Sequence, residues 1–116
     1  MEKAYEIIGK LGITSKYRGY FFVTDAIDLA MHAHDKPIKV TKDIYPYLAK
    51  KYKTTPMNIE RNVRTVITMC WETNKKGVDE IAGHSLTYRP TNSQFIDMVA
   101  YYLSEGQMSC SGQAFS

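Results

Sequence analysis

The chain has 116 residues, of which 44% are apolar and 23% charged, with two cysteines and a net charge of +3 at pH 7. This size and composition are typical of one globular domain that folds alone, and they exclude disordered, fibrous and disulfide-stabilised classes. A signal peptide and any run of about 18 apolar residues are lacking, so we expect a cytoplasmic protein that does not enter a membrane.

The first third of the chain predicts two helices. Apolar residues recur at helical spacing over residues 2–11 and again over 20–34, and the connection at 13–19 is polar. We expect the second helix to be buried. Residues 35–40 are predicted to form a loop because Pro37 disfavours a helix at the residue before it.

The next helix has an ambiguous start. Thr41 is placed to cap it, and Asp43 is placed to stabilise its N-terminus. Pro46 removes an internal hydrogen bond if the helix begins at Lys42. Either the first turn is separate, therefore, or the helix proper starts near Tyr45.

The stretch from Ile44 to Glu72 predicts a helix-turn-helix. Its second helix should span residues 56–74, with Thr55 as the cap and Pro56 at the first helical position, where proline's missing N–H has no partner to lose. Residues 75–77, Lys-Lys-Gly, are expected to end this helix.

The second helix has two chemically different faces at about 100° of rotation per residue. Its polar face offers one guanidinium, one amide and two hydroxyls, which are groups that hydrogen-bond base edges and phosphates. The apolar face carries Ile59, Val63, Val66, Ile67, Cys70 and Trp71, and the polar face carries Asn58, Arg61, Thr65 and Thr68.

Charge and packing agree with a DNA-binding helix-turn-helix. Between Lys36 and Lys76 there are ten basic and three acidic residues, a net charge of +7, whereas the rest of the chain carries −4. Ala49 supplies the small residue needed where the helices meet, and Lys53 occupies the position where a turn glycine is often found. A plain helical hairpin in a bundle remains the alternative.

The last part of the chain predicts one or two helical turns and a loop over residues 78–90, followed by a capping box. Thr91 and Gln94 form that box and open a final helix. Residues 1–105 are therefore predicted to form an all-α domain of about five to six helices, and 106–116 a flexible tail.

No pattern predicts an enzyme or a metalloprotein. There is no glycine-rich phosphate loop, nucleophile elbow or paired-carboxylate motif. His32 and His34 point about 200° apart on a helix, so they cannot share a metal with His84, Cys70 or Cys110. We expect no catalytic residue, metal or cofactor, and we expect Cys70 to be a core residue.

Three stretches resemble the C-terminal effector domain of the stage-zero sporulation transcription factor, the master response regulator of endospore-forming bacteria. They are GYFFVTDAI at 19–27, VTKDIYPYLAKKYKTTPMNIERNVRTVITMCWE at 40–72 and PTNSQFIDMVAYYL at 90–103. The similarity keeps their order and spacing from about Tyr5 to Glu105.

This resemblance implies an all-helical domain that binds short double-stranded DNA boxes, pairs weakly on tandem boxes and touches RNA polymerase sigma subunits. It places Glu60 and Arg61 on bases. Asn58 and Thr65 stand where the family often has a basic residue and a histidine. With the polar face and the turn included, the predicted DNA-binding residues are Lys50, Lys51, Lys53, Thr54, Thr55, Asn58, Glu60, Arg61, Arg64, Thr65 and Thr68.

Two interpretations of function stay open. The first is a transcription regulator of sporulation type, which binds specific double-stranded DNA with helix 56–74 in the major groove. The second is an interaction module that binds a sigma subunit or the full-length regulator without binding DNA. The family also has a receiver domain with a phosphorylatable aspartate, and this chain begins almost directly on the effector domain; it is either a domain of a longer regulator or a free-standing relative.

Overall fold

The structure is a computed structural model that describes residues 2–32 and 39–112, with side chains over 3–32 and 39–104. Across those ranges it is all-α, as predicted, with six helices and no strand. One π-helical turn, Val40–Ile44, precedes the third helix. The helices are α1 (Glu2–Lys10), α2 (Arg18–Met31), α3 (Tyr45–Lys51), α4 (Pro56–Thr73), α5 (Lys75–Ala82) and α6 (Asn92–Gly112).

Helix α2 is the centre of the fold, because it packs against α1, α3, α4 and α6. Its apolar face meets those of the other helices in a single core, in which Ile27, Ile59 and Phe95 are fully buried. Burial of this face is what holds α4, the second helix of the predicted pair, in place. None of the described helices is long and apolar enough to cross a membrane.

The start of α2 lies unusually close to α4. Gly19 is buried, and a Cβ atom added there would lie 2.4 Å from the backbone oxygen of Asn62 and 2.6 Å from Cγ2 of Val66. Only a residue without a side chain allows the two helices to approach this closely.

The bounds of α2 differ from the prediction. It begins at Arg18, before the predicted start at residue 20, and ends at Met31, with His32 as its C-cap. His34 and most of the predicted loop at 35–40 lie outside the described residues.

The π-helical turn resolves the ambiguity around Pro46. The prediction that Thr41 caps this segment is wrong: Lys39 is the N-cap residue, and the backbone N–H of Lys39 donates to Oδ2 of Asp43 at 2.7 Å. Asp43 therefore stabilises the N-terminus, as expected. The first turn is separate and α3 begins at Tyr45, so the proline falls where no internal hydrogen bond is lost.

The turn between α3 and α4 is a Schellman motif. The N–H of Thr54 donates to the carbonyl oxygen of Ala49 at 2.8 Å, and the N–H of Lys53 donates to that of Lys50 at 3.3 Å. Lys53 has a φ of 55°, and it is the one non-glycine residue with positive φ in the described part of the chain. This position favours glycine, because a Cβ atom is strained there.

We therefore expect Lys53→Gly to raise the free energy of unfolding by up to about 1 kcal/mol, because it relieves the left-handed backbone strain. Urea unfolding followed by circular dichroism measures the change. Lys53→Ala is the matched control, since it removes the same charge but keeps a Cβ atom. A Lys53→Gly variant no more stable than Lys53→Ala would contradict the argument.

The end of α4 corrects one prediction. Residues 75–77 do not end α4 as predicted, but form the first turn of α5. Helix α4 ends at Thr73, and Asn74 both follows it and caps α5, its Oδ1 accepting the N–H of Gly77 at 3.0 Å. The break between the helices thus comes from the capping asparagine, not from the glycine.

The predicted capping box at the start of α6 is confirmed. The N–H of Thr91 donates to Oε1 of Gln94 at 3.0 Å, and the N–H of Gln94 donates to Oγ1 of Thr91 at 3.1 Å. The backbone of α6 runs to Gly112 rather than ending near residue 105. Flexibility of 106–116 stays a prediction, and residues 113–116 lie outside the described ranges.

Candidate nucleic-acid interface

The apolar face of α4 is buried, as predicted. Five of its six residues are at most 1% exposed, whereas Trp71 is half-buried with the Nζ of Lys75 4.9 Å from its ring centroid. This face fixes the rotation of α4 about its axis, so the polar face points away from the core. The five are Ile59, Val63, Val66, Ile67 and Cys70.

The polar face of α4 presents Arg61 and Thr65 to solvent. Both side chains are exposed. Thr65 donates its hydroxyl to the backbone oxygen of Arg61 at 3.1 Å, which leaves that hydroxyl oxygen able to accept. The guanidinium of Arg61 has no hydrogen-bond or ion-pair partner among the described residues, so its donors are available to a ligand.

Asn58 and the two threonines of the turn already have partners in the protein. The amide of Asn58 donates to Oγ1 of Thr54 at 2.9 Å and accepts from Nδ2 of Asn62 at 3.1 Å. Thr55 is the predicted N-cap, and its Oγ1 accepts the N–H of Asn58 at 3.1 Å. These side chains join the turn to α4; Thr68, further along the same helix, is half-buried.

Glu60 and Arg64 form an ion pair along α4. They are four residues apart, which places them on adjacent turns of one side, and their side chains are 42% and 49% exposed. The pair partly neutralises the arginine. It also orients the carboxylate of Glu60, whose predicted role was contact with a base.

The three lysines around the turn are not equivalent. Lys50 and Lys53 are exposed, and their ammonium groups have no partner in the described part of the chain. The Nζ atom of Lys51 instead lies 2.8 Å from Oδ2 of Asp25, a residue of α2. Among the described residues of the turn and of the polar face of α4, the unpaired positive charges are therefore those of Lys50, Lys53 and Arg61.

Compared with models of known protein families, residues 4–103 match the family described as sporulation initiation factor Spo0A, C terminal. This span covers most of the chain. The chain belongs to that family. The match confirms the resemblance carried by the three sequence stretches, and it makes the chain a DNA-binding effector domain of sporulation type that acts in transcription regulation.

The Spo0A C-terminal family is one of transcription factors, not of enzymes. The described residues contain no group of three His, Cys, Asp or Glu side chains that could hold a metal. His34 and the side chain of Cys110 lie outside the described residues. Cys70 is a fully buried free thiol, and burial raises its pKa to about 12, so it stays protonated and unreactive.

Sequence analysis missed Asn92, a residue that hydrogen-bonds to both helices of the helix-turn-helix. The amide nitrogen of Asn92 donates to the hydroxyl of Tyr45 at 2.8 Å and to the backbone oxygen of Glu60 at 3.0 Å. It thereby links the start of α6 to both α3 and α4. Burial raises the pKa of Tyr45, which keeps its hydroxyl neutral and able to hydrogen-bond.

Arg89 was also missed. With Arg64 it lines an open groove of about 570 Å³ along the N-terminal end of α4. The only signal in the sequence was a basic residue placed just before Pro90, in a stretch predicted to be loop.

Proposed function

We propose that this domain binds specific double-stranded DNA sequences by placing α4 in the major groove, and that it regulates transcription in this way. One observation carries the proposal: the face of α4 with Arg61 and Thr65 is exposed, whereas the opposite face is buried in the core. A helix of this kind fits the major groove, and it is the usual arrangement of a recognition helix.

The geometry supports a division of roles. Arg61 has an unpaired guanidinium whose two-pronged donors match the acceptors of guanine. Thr65 and Glu60 lie near it on the helix and are assigned to neighbouring base edges. The unpaired lysines Lys50 and Lys53 are assigned to phosphates, which position the helix without reading sequence.

Two finer proposals come from family membership. We expect the domain to associate weakly with a second copy on tandem DNA boxes and to contact an RNA polymerase sigma subunit at promoters. Sedimentation of a saturated two-box duplex should then show two chains for each duplex. One chain for each duplex would contradict the pairing.

Selection of bound sequences from a random duplex library tests the proposal and identifies the box. With Lys50 and Lys53 as the phosphate contacts, we expect the affinity for that box to fall roughly tenfold between about 50 and about 200 mM salt. Fluorescence anisotropy of a labelled duplex measures the decrease.

A scrambled duplex of the same length is the control. No selected sequence and no salt-dependent binding would contradict DNA recognition. That result would favour the alternative, an interaction module for a sigma subunit or for the full-length regulator.

A further inference from the structure

A carboxylate is buried beneath the turn of the helix-turn-helix. Asp25 lies on α2 and is only 3% exposed. Its Oδ2 accepts a hydrogen bond from Nζ of Lys51 at 2.8 Å and another from the hydroxyl of Tyr52 at 2.6 Å. A buried carboxylate is costly without such partners, so the three side chains hold the end of α3 to the core helix.

This contact changes the charge that the turn offers to a ligand. Lys51 remains 45% exposed, but its ammonium group is paired with Asp25. The hydrogen bond to Asp25 raises the pKa of Lys51, because the carboxylate stabilises the charged ammonium group. The hydroxyl of Tyr52 is held neutral because burial, together with the same carboxylate, raises its pKa.

The neighbouring lysines differ from Lys51 in one respect. Lys50 comes directly before Lys51 in the chain, and Lys53 comes two residues after it. Neither of these two ammonium groups has an acidic partner among the described residues. A phosphate can therefore bind either of them without breaking an existing ion pair. To bind Lys51, it must compete with a carboxylate that would then be left buried with one hydrogen bond fewer.

We propose that Asp25 is a positioning residue for DNA binding, which withholds Lys51 from the phosphate backbone and fixes the end of α3, so that Lys50 and Lys53 make the phosphate contacts. The inference rests on the proposed function. It differs from the sequence prediction, which placed Lys51 among the DNA-binding residues together with Lys50 and Lys53.

The first test is the salt dependence of duplex binding. Asp25→Asn keeps the size and an acceptor oxygen but removes the charge, which releases Lys51. We expect the plot of log affinity against log salt to become steeper by about 0.9, the value for one additional phosphate contact. The double variant Asp25→Asn with Lys51→Ala should return to the original slope.

Lys50→Ala is the matched control, and its slope should be shallower by about 0.9. A purely structural role of Asp25 would weaken binding at every salt concentration without a steeper slope. An unchanged slope in Asp25→Asn would overturn the proposal.

A second test uses the unmodified protein, so it does not depend on any variant folding. Acylation with an amine-reactive reagent, read by peptide mass spectrometry, compares the lysines with and without duplex. The duplex should protect Lys50 and Lys53 and leave the rate at Lys51 unchanged. Protection of Lys51 equal to that of Lys50 would contradict the inference.

The two proposals fail in different ways. If the protein binds no duplex, the proposed function fails. Acylation of the free protein then still decides whether Asp25 holds Lys51, which should react several-fold more slowly than Lys50. Asp25→Asn should abolish that difference, and equal rates in the unmodified protein would overturn the inference.

Discussion

Gly19→Ala should destabilise the domain by on the order of 3 kcal/mol, the upper part of the range for an overpacked core. The added Cβ atom would lie 2.4 Å from the backbone oxygen of Asn62, and a backbone atom cannot rotate away as a side chain can. Helix α4 must therefore shift as a unit. Thermal or urea unfolding measures the loss of stability, and any folded fraction should also bind duplex more weakly.

The same substitution at Gly9 is the matched control. Gly9 lies in α1, is exposed, and has no atom within 4 Å of an added Cβ. Gly9→Ala should raise the free energy of unfolding by about 0.5–1 kcal/mol, because alanine loses less backbone entropy in a helix. Equal effects of the two substitutions would mean that α2 and α4 do not approach as closely as described.

Arg61→Ala should weaken binding to the selected box by about 1–3 kcal/mol and reduce the preference for that box over a scrambled duplex. The reason is that Arg61 offers donors that nothing in the described protein uses. Anisotropy titrations on both duplexes separate the loss of affinity from the loss of specificity.

Arg61→Lys distinguishes base reading from simple charge. Lysine keeps the positive charge but loses the planar guanidinium, so specificity should fall while the salt slope stays the same. Lys50→Ala should do the reverse, with a shallower slope and an unchanged preference. An Arg61→Ala variant that retains full preference for the box would remove Arg61 from the base-reading role.

The sequence predicted the features of the fold that depend on local periodicity and capping. The two faces of α4, its cap at Thr55 and the reciprocal bonds of Thr91 and Gln94 all involve residues within a few positions of each other. These features depend only on interactions between residues that are close together in the sequence. The family resemblance extended this local interpretation to DNA binding.

Other features depended on competing local signals. Thr41 was a reasonable cap, but Asp43 accepts the N–H of Lys39 and a π-helical turn forms instead. Asn74 caps α5 three residues before Gly77, so the glycine that was expected to end a helix lies within one. Sequence periodicity does not decide which of two polar groups takes a backbone N–H.

The contacts that organise the candidate site are long-range, which is why the sequence did not reveal them. Asp25 and Lys51 are 26 positions apart, and Asn92 is 32 positions from Glu60. Asp25 does lie, with Thr24 and Asp28, in the mainly apolar sequence of a core helix. That is the kind of signal that identifies a buried charge but not its partner.

The close packing of α2 against α4 at Gly19 determines the smallest part of this domain that can keep the structure of the helix-turn-helix. A peptide excised at residues 40–74 would carry the whole helix-turn-helix, yet it would leave the apolar side of α4 uncovered and Lys51 without its buried partner, Asp25. A graft that transfers the binding preference to another scaffold must therefore include α2, with Gly19, as well as the helix-turn-helix. Exchange of specificity between relatives should succeed by substituting outward-facing side chains on an intact domain, not by grafting the motif alone.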